Sequence, residues 1–273
     1  MITMEQSSVL VDAHVHVYPG VDVDGMLRAA VRNFRRAAAA QGIRRWQGVL
    51  MLTETSKDSW FESVAMSSAS IGNWHFRATD EPITLRAVCE DAALLLVAGR
   101  QVVTSERLEV HALGSRARFA DGQATRTTID AVLATGALAV LPWGVGKWTG
   151  SRGRLVEDLL RDRITEGLTA SDNGGRPSFW REHRFQALQE GRRPLLAGSD
   201  PLPLPRQEYR IGSFGFRLRA SLPDELPGAA LLHRLARAAP DEVCTYGASE
   251  SLRGFLVNQL RLRFQSRAAA AHA

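Results

Sequence analysis

Cysteine, lysine and long apolar runs are all scarce in this chain of 273 residues. The two cysteines, Cys89 and Cys244, stand in unrelated contexts, which argues against a cysteine-based metal motif and against a disulfide framework. Apolar runs such as 92–98 are far shorter than the roughly 20 residues that a membrane-spanning helix needs. Residues 1–8 lack the basic and apolar segments of a secretory signal, so we expect a cytoplasmic protein with no membrane partner.

Lysine occurs only at Lys57 and Lys147, and arginine supplies the rest of the 34 basic residues. The formal net charge is +5, but the arginines are spread along the chain without aromatic interleaving or a nucleic-acid motif. We therefore expect no nucleic-acid partner. The length and the 45% hydrophobic content suit a single domain over residues 1–264, followed by a disordered tail over 265–273.

Apolar segments and amphipathic segments alternate along much of the chain. Strands are predicted over 8–17, 47–53, 137–143, 167–171 and 194–198, and helices over 24–40, 127–134, 151–162 and 178–189. Such alternation with short connections favours βαβ units and a parallel sheet. The sequence thus predicts a TIM-like (β/α) barrel, with a seven-stranded or distorted barrel left open. Residues 71–113 read instead as short strands with polar turns, which predicts a hairpin-rich insertion or an antiparallel portion of the fold.

The segment Asp12-Ala13-His14-Val15-His16 closes the first apolar strand and carries the strongest chemical signal. Side chains alternate between the faces of a strand, so His14 and His16 are expected on the same face. Zn²⁺ accepts two or three histidines together with an oxygen donor. The alternative is a pair of ordinary histidines that form hydrogen bonds at a strand end.

A second signal, Gly198-Ser199-Asp200, follows a late apolar strand. In barrel enzymes, polar residues at the carboxyl ends of the strands form the active site. A carboxylate there can bind a metal ion or accept a proton from metal-activated water, and Asp200 is the candidate for both roles. The alternative is an aspartate that caps a helix or a turn.

Together, the two motifs resemble the first and last site motifs of the amidohydrolase superfamily, a group of metal-dependent hydrolases with TIM barrels. They are also similar to those of the PHP phosphoesterases, which share an early His-x-His and a late Gly-Ser-Asp. The resemblance covers two short motifs rather than the whole chain. It implies that His14 and His16 bind a divalent ion, Zn²⁺ or Mn²⁺, and that Asp200 is a ligand or the base.

Members of that superfamily usually supply further histidines from middle strands, and the predicted strand ends near Trp143 and Ser171 carry none. His111, in a β-like segment, is the candidate for an additional ligand. Asp172 is a candidate third oxygen ligand, or a partner that orients a histidine. The alternative for Asp172 is a place in a glycine-rich turn.

Three residues near the expected mouth of the barrel are candidates for substrate binding, namely Trp143, Lys147 and Arg176. Lys147 stands out in a chain that uses arginine almost everywhere, which suggests that an amine is required there. Lys147 and Arg176 are expected to hold an anionic substrate. The resemblance also raises a carbamylated Lys147 as a bridging ligand.

We therefore predict a metal-dependent hydrolase, less favourably a decarboxylase, that acts on a small anionic substrate. The competing hypothesis is a catalytically degenerate barrel that binds a small molecule or a partner protein, which the missing histidines motivate. A homodimer is compatible with either hypothesis.

Overall fold

The computed structural model describes residues 7–67, 70–162 and 165–271, with side chains described as far as Leu262. The strands in these residues are β1 (Ser8–Val15), β2 (Trp46–Leu52), β3 (Ser70–Ile71), β4 (Trp74–Ala78), β5 (Thr84–Cys89), β6 (Ala92–Val97), β7 (Gly99–Val103), β8 (Glu109–Leu113), β9 (Leu138–Pro142), β10 (Leu168–Asn173), β11 (Leu195–Gly198), β12 (Gly215–Leu218) and β13 (Val243–Tyr246). The α-helices are α1 (Val23–Ala40), α2 (Trp60–Ser67), α3 (Thr125–Leu133), α4 (Gly150–Arg161), α5 (Phe185–Glu190), α6 (Pro227–Arg237) and α7 (Leu252–Ala271).

The strands form two mixed sheets. The first sheet has eight strands in the order β13-β12-β1-β2-β6-β5-β4-β3, and only the β1–β2 and β2–β6 pairs in it are parallel. The second has five strands in the order β11-β10-β9-β8-β7, with parallel pairs at β9–β10 and β10–β11. Helical crossovers α1, α4 and α5 connect three of the four parallel pairs, as parallel pairing requires a long connection.

Strand β1 is buried on both faces, which explains its nearly continuous apolar sequence. Val9, Val11 and Ala13 face a core between the two sheets, where they pack with residues such as Val140 and Leu196. On the opposite face, the core contains Leu10 and apolar residues of α1. Both faces of the strand that carries the histidine motif are therefore held by packing.

The two sheets meet at two places near the ends of β1 and β2. Glu54, just beyond β2, forms an isolated parallel bridge with Arg100 of β7. Just beyond β11, the backbone N–H of Asp200 donates a hydrogen bond to the carbonyl oxygen of His14, with a length of 3.0 Å. We call the second place the β1–β11 junction. It brings the two sequence motifs together although they are far apart along the chain.

The predicted TIM-like barrel is wrong, because the described residues form two mixed sheets and no closed barrel. The prediction failed over residues 70–113, where six successive strands, β3 to β8, follow one another with short connections. The pairs β3–β4, β4–β5, β5–β6 and β7–β8 are antiparallel, as short connections require, so β6 is the one strand of this described segment that pairs parallel, with β2. The segment is also not an insertion, since β6 pairs with β2 and β8 pairs with β9 in the middle of the sheets.

The remaining predictions concern the two ends of the chain and membrane-spanning segments. The C-terminal helix α7 extends to Ala271, so it overlaps the tail predicted over 265–273, and residues 272 and 273 lie outside the described residues. The absence of a signal sequence was predicted from residues 1–8, and of these residues 1–6 also lie outside the described residues. Within the described ranges, none of the helices combines the length and apolar character needed to cross a membrane.

Candidate metal centre

His14 and His16 lie at the carboxyl end of β1 and are almost completely buried, with exposed fractions of 2% and 6%. Their Nε2 atoms face each other at 3.0 Å. The register between β1 and β2 shifts between Asp12 and Val15, so the strand is irregular at the motif itself. The expectation that both imidazoles point into the same space is confirmed.

Asp200 completes the cluster from the other side of the β1–β11 junction. Its Oδ1 atom lies 3.3 Å from Nε2 of His14 and 3.9 Å from Nε2 of His16. Each of the three residues offers a ligand atom, and these atoms all lie within 4.8 Å of one another. The backbone of Asp200 has a φ of 47°, a left-handed conformation that aspartate tolerates better than most residues. The three residues singled out from sequence are thus brought together.

Asn173, at the end of β10, fixes the orientation of the Asp200 carboxylate. Its Nδ2 atom donates to Oδ2 of Asp200 at 2.9 Å and to the carbonyl oxygen of Trp143 at 2.8 Å. The Oδ2 oxygen is therefore engaged, and Oδ1 is left facing the two histidines. The sequence analysis did not identify Asn173 as a site residue. Its position directly after Asp172, at the end of a predicted strand, could have indicated it.

Asp12 supports the same cluster from behind. Its fully buried carboxylate accepts hydrogen bonds from the backbone N–H groups of His14, Ser199 and Gly212, at 3.2, 2.8 and 2.7 Å. Burial raises its pKa to about 6, although those hydrogen bonds act in the opposite direction. One side chain thus connects the segments that carry His14 and Asp200 to the loop before β12.

Burial also sets the protonation of the two histidines. It lowers the pKa of His14 to about 3 and that of His16 to about 4, and the positive charge of Lys147 adds to the effect on both. Burial raises the pKa of Asp200, while His16 and Lys147 oppose that rise. Both imidazoles are consequently neutral at physiological pH, which is the form that binds metal ions.

His111 lies against this cluster but is not part of it. Its ring packs edge-on against His14 with a centroid distance of 4.3 Å, and its Nε2 lies 3.2 Å from Oε1 of Gln101. The Nδ1 atoms of His14 and His111 are both buried without a hydrogen-bond partner among the described residues. His111 thus borders the cluster of His14, His16 and Asp200 and does not belong to the group of residues that could hold a metal ion.

Asp172 and Arg176 pair with each other rather than with the histidines. Arg176 donates from Nε to Oδ1 of Asp172 at 2.7 Å and from Nη2 to Oδ2 at 2.6 Å. Arg176 also donates to the carbonyl oxygen of Trp180. Both carboxylate oxygens of Asp172 are engaged in this pair, and Asp172 does not belong to the cluster of His14, His16 and Asp200.

Trp143 and Lys147 follow β9 as predicted, but they have different surroundings. Trp143 is buried in the apolar cluster beneath α3, α4 and α5, where its Nε1 donates to Oε2 of Glu182 at 3.3 Å. Lys147 is partly exposed and forms an ion pair with Glu109 of β8. Of these two, only Lys147 influences the charge of the histidine cluster.

A cleft of about 410 Å³ opens beside His16. Tyr18 lines it and stacks on the His16 ring, with a centroid distance of 5.3 Å and an angle of 22° between the ring planes. The rest of the lining includes residues 19–22, the proline-rich segment 201–205 and Glu208. The volume suits a small molecule, and one wall of the cleft is formed by a member of the histidine cluster.

Comparison with known proteins gives support for the fold only. No family model matches the chain, and no curated protein matches it. Among solved structures, it is similar to PsfC from Pseudomonas syringae PB-5123, with a TM-score of 0.55 and 15% sequence identity over 95% of this chain and 99% of that one. At such low identity the likeness concerns the arrangement of strands and helices.

Proposed function

We propose that this chain is a metal-dependent hydrolase whose divalent ion is held by His14, His16 and Asp200. The observation that carries the proposal is the convergence of these three side chains, with ligand atoms within 4.8 Å of one another. Two neutral imidazoles and one carboxylate form a donor set that suits Zn²⁺ or Mn²⁺. This is also the chemistry implied by the resemblance to the amidohydrolase superfamily.

An ion at this position would supply Lewis acidity and lower the pKa of a coordinated water molecule toward about 7. Asp200 contributes one free oxygen, since Asn173 holds Oδ2. Oδ1 can either bind the ion or accept the proton that the attacking water loses. The substrate would enter through the cleft beside His16, with its scissile bond at the histidine end.

The expected anionic substrate has weaker support than the metal site. Lys147 and Arg176 remain its candidate binding residues, but Glu109 and Asp172 already balance their charges. An anionic group would have to compete with Glu109 for Lys147. We therefore propose hydrolysis of a small substrate in the cleft and do not base the proposal on the substrate's charge.

Metal analysis of the purified protein after incubation with Zn²⁺ or Mn²⁺ tests the proposal. We expect about one tightly bound ion per chain in the unaltered protein, because the donor set suits one four-coordinate ion with an open position. The variants His14→Ala and His16→Ala should lose it. His183→Ala is the matched control, since that histidine's side chain is 67% exposed and remote from the cluster in sequence.

Activity on ester, lactone, amide and phosphoester panels completes the test. Asp200→Asn should abolish turnover, and its metal content then decides the role of Asp200: retention of the ion identifies a base, and loss identifies a ligand. Metal content near zero that is unaffected by the histidine variants would exclude the hydrolase. Such a result, together with no turnover on any panel, would favour the competing function of a non-catalytic binding protein.

A further inference from the structure

The charged residues that line the cleft are both acidic. Asp22 and Glu208 lie on its wall, and neither lysine nor arginine is among the described residues that line it. Asp22 caps α1, where its Oδ1 accepts a hydrogen bond from the backbone N–H of Gly25 at 3.0 Å. Glu208 is half-buried, and no side chain in the described part of the chain pairs with its carboxylate. The cleft therefore presents negative charge that the protein itself leaves unbalanced.

Arg210 and Lys147 are engaged with partners other than Glu208. Arg210, two residues after Glu208, donates from Nη1 to Oε2 of Glu250 at 2.8 Å and from Nη2 to the carbonyl oxygen of Gly174 at 2.9 Å. Lys147 is paired with Glu109. Because a partly buried carboxylate favours a cationic partner, Glu208 is available to bind a positively charged group of a ligand.

The proline-rich wall of the cleft is apolar. Pro201, Pro203 and Pro205 alternate with Leu202 and Leu204 along the cleft. Proline lacks a backbone N–H and has a restricted φ, so this wall is rigid and offers few hydrogen-bond donors. Such a surface suits an alkyl chain or an apolar ring rather than a heavily hydroxylated or phosphorylated molecule.

We propose that the cleft selects substrates with an apolar body and a protonated amine, whose ammonium group binds Glu208 while the scissile carbonyl lies near His16. The inference rests on the proposed hydrolase function for the position of the bond that is cleaved. The recognition of the amine depends on the cleft alone and does not require the hydrolase function. It also differs from the anionic substrate that the sequence predicted.

Three p-nitrophenyl esters of equal chain length test the selectivity of the Zn²⁺- or Mn²⁺-loaded protein: 6-aminohexanoate, hexanoate and the monoester of adipate. We expect the amine-bearing ester to have a kcat/KM about tenfold above that of the adipate ester, in line with one partly screened charge contact. The preference should shrink at high salt, where the contact is screened more strongly.

Two variants assign the preference to Glu208. Glu208→Gln should reduce kcat/KM for the amine-bearing ester about threefold to tenfold more than it reduces kcat/KM for the hexanoate ester. Glu208→Lys should invert the order of the charged esters. Glu190→Gln, at an exposed position at the end of α5, is the matched control and should change neither value.

Calorimetric binding of free 6-aminohexanoate, hexanoate and adipate separates this inference from the hydrolase proposal. The protein could bind 6-aminohexanoate preferentially, in a way that depends on Glu208, and hydrolyse none of the esters. That result would contradict the hydrolase proposal and support the selectivity of the cleft. If the protein hydrolyses the adipate ester best and neither Glu208 variant changes this preference, the hydrolase proposal stands and this inference is overturned. Equal binding of the three acids would overturn it as well.

Discussion

At the scale of single residues, Asp12 shows how a side chain that binds no ligand can set the geometry of a site. Its carboxylate accepts three backbone hydrogen bonds, from His14, Ser199 and Gly212, in a fully buried position. Hydrogen bonds to a charged acceptor are stronger than neutral ones, and a buried donor that loses its partner is costly. The relative position of the histidines and Asp200 therefore depends on a residue that lies behind them.

The variant Asp12→Asn should lower the free energy of unfolding by about 2–4 kcal/mol, because the amide NH₂ would face backbone N–H donors and leave some of them without an acceptor. Urea unfolding at pH 7 measures the change. Metal affinity should fall as well, by about tenfold or more, since the ligand-bearing segments lose their common support. Asp80→Asn, at an exposed turn, provides the control. Unchanged stability and metal binding would contradict this role of Asp12.

The sequence identified the ligand candidates because each lies within a short motif at the end of an apolar strand. His14, His16 and Asp200 could be read from local spacing alone. The environment of Lys147 could not, since its partner Glu109 lies on a different strand. Neither could Asn173, because its contact with Asp200 depends on the β10–β11 pairing rather than on a motif.

At the scale of secondary-structure elements, helix α3 is capped by a residue outside it. The residue before the helix is Ala124, which has no side-chain oxygen to serve as a cap. Glu106 takes that role, because its carboxylate accepts hydrogen bonds from the backbone N–H of Thr125 at 3.0 and 3.2 Å and from its hydroxyl at 2.8 Å. A carboxylate at this end also interacts favourably with the helix dipole.

This cap makes stability depend on pH in a definite direction. Burial raises the pKa of Glu106, but its hydrogen bonds outweigh that effect and lower the pKa from 4.5 to about 2. The stabilisation is therefore fully present above about pH 4.5 and is lost as the pH falls toward 2.

The variant Glu106→Gln should cost about 1–2 kcal/mol at pH 7, discounted because the group is partly exposed to solvent. Unfolding curves at several pH values should show that this difference shrinks below about pH 4.5 and disappears only as the pH falls to about 2 or lower. Glu190→Gln should show no such pH-dependent difference. A constant difference across the whole range would mean that the charge of Glu106 is not responsible.

Elements with clear periodicity were predicted well, and the errors have physical causes. Helix α1 and strands β1, β2 and β11 occur within a few residues of their predicted positions. The helix predicted over 178–189 is limited to α5, which begins at Phe185. Before it, Arg184 donates from Nε to the carbonyl oxygen of Gly153 at 2.9 Å and Trp180 packs on Trp143, so tertiary contacts hold this segment in a non-helical form.

At the scale of the whole molecule, glycine permits the close approach of the two sheets. Gly198 ends β11, and a Cβ atom added there would overlap the backbone nitrogen and Cβ of His14. A Cβ atom on Gly99 would likewise overlap the carbonyl oxygen of Leu52. The barrel prediction failed at this scale, because the sequence pattern of βαβ units does not specify whether the sheet closes or splits into two.

The variant Gly198→Ala should separate the strands at the β1–β11 junction, and we expect a loss of about 2 kcal/mol or more in the free energy of unfolding from overpacking. Metal binding should weaken in parallel, since Asp200 is two residues away. Gly175→Ala is the matched control, because its added Cβ would meet only Oδ1 of Asn173, at 3.4 Å. Thermal unfolding and metal titration check both variants, and equal behaviour of the two would argue against this role of Gly198.

The position of the candidate centre at the β1–β11 junction has a thermodynamic consequence. His14 and His16 belong to one sheet and Asp200 follows a strand of the other, so an ion held by all three cross-links two parts of the chain nearly two hundred residues apart. By mass action, a free ion at a hundredfold excess over its dissociation constant adds about 2.7 kcal/mol to the stability of the state that binds it. On the proposed function, we therefore expect the resistance of this protein to unfolding to rise with the metal supply in its surroundings.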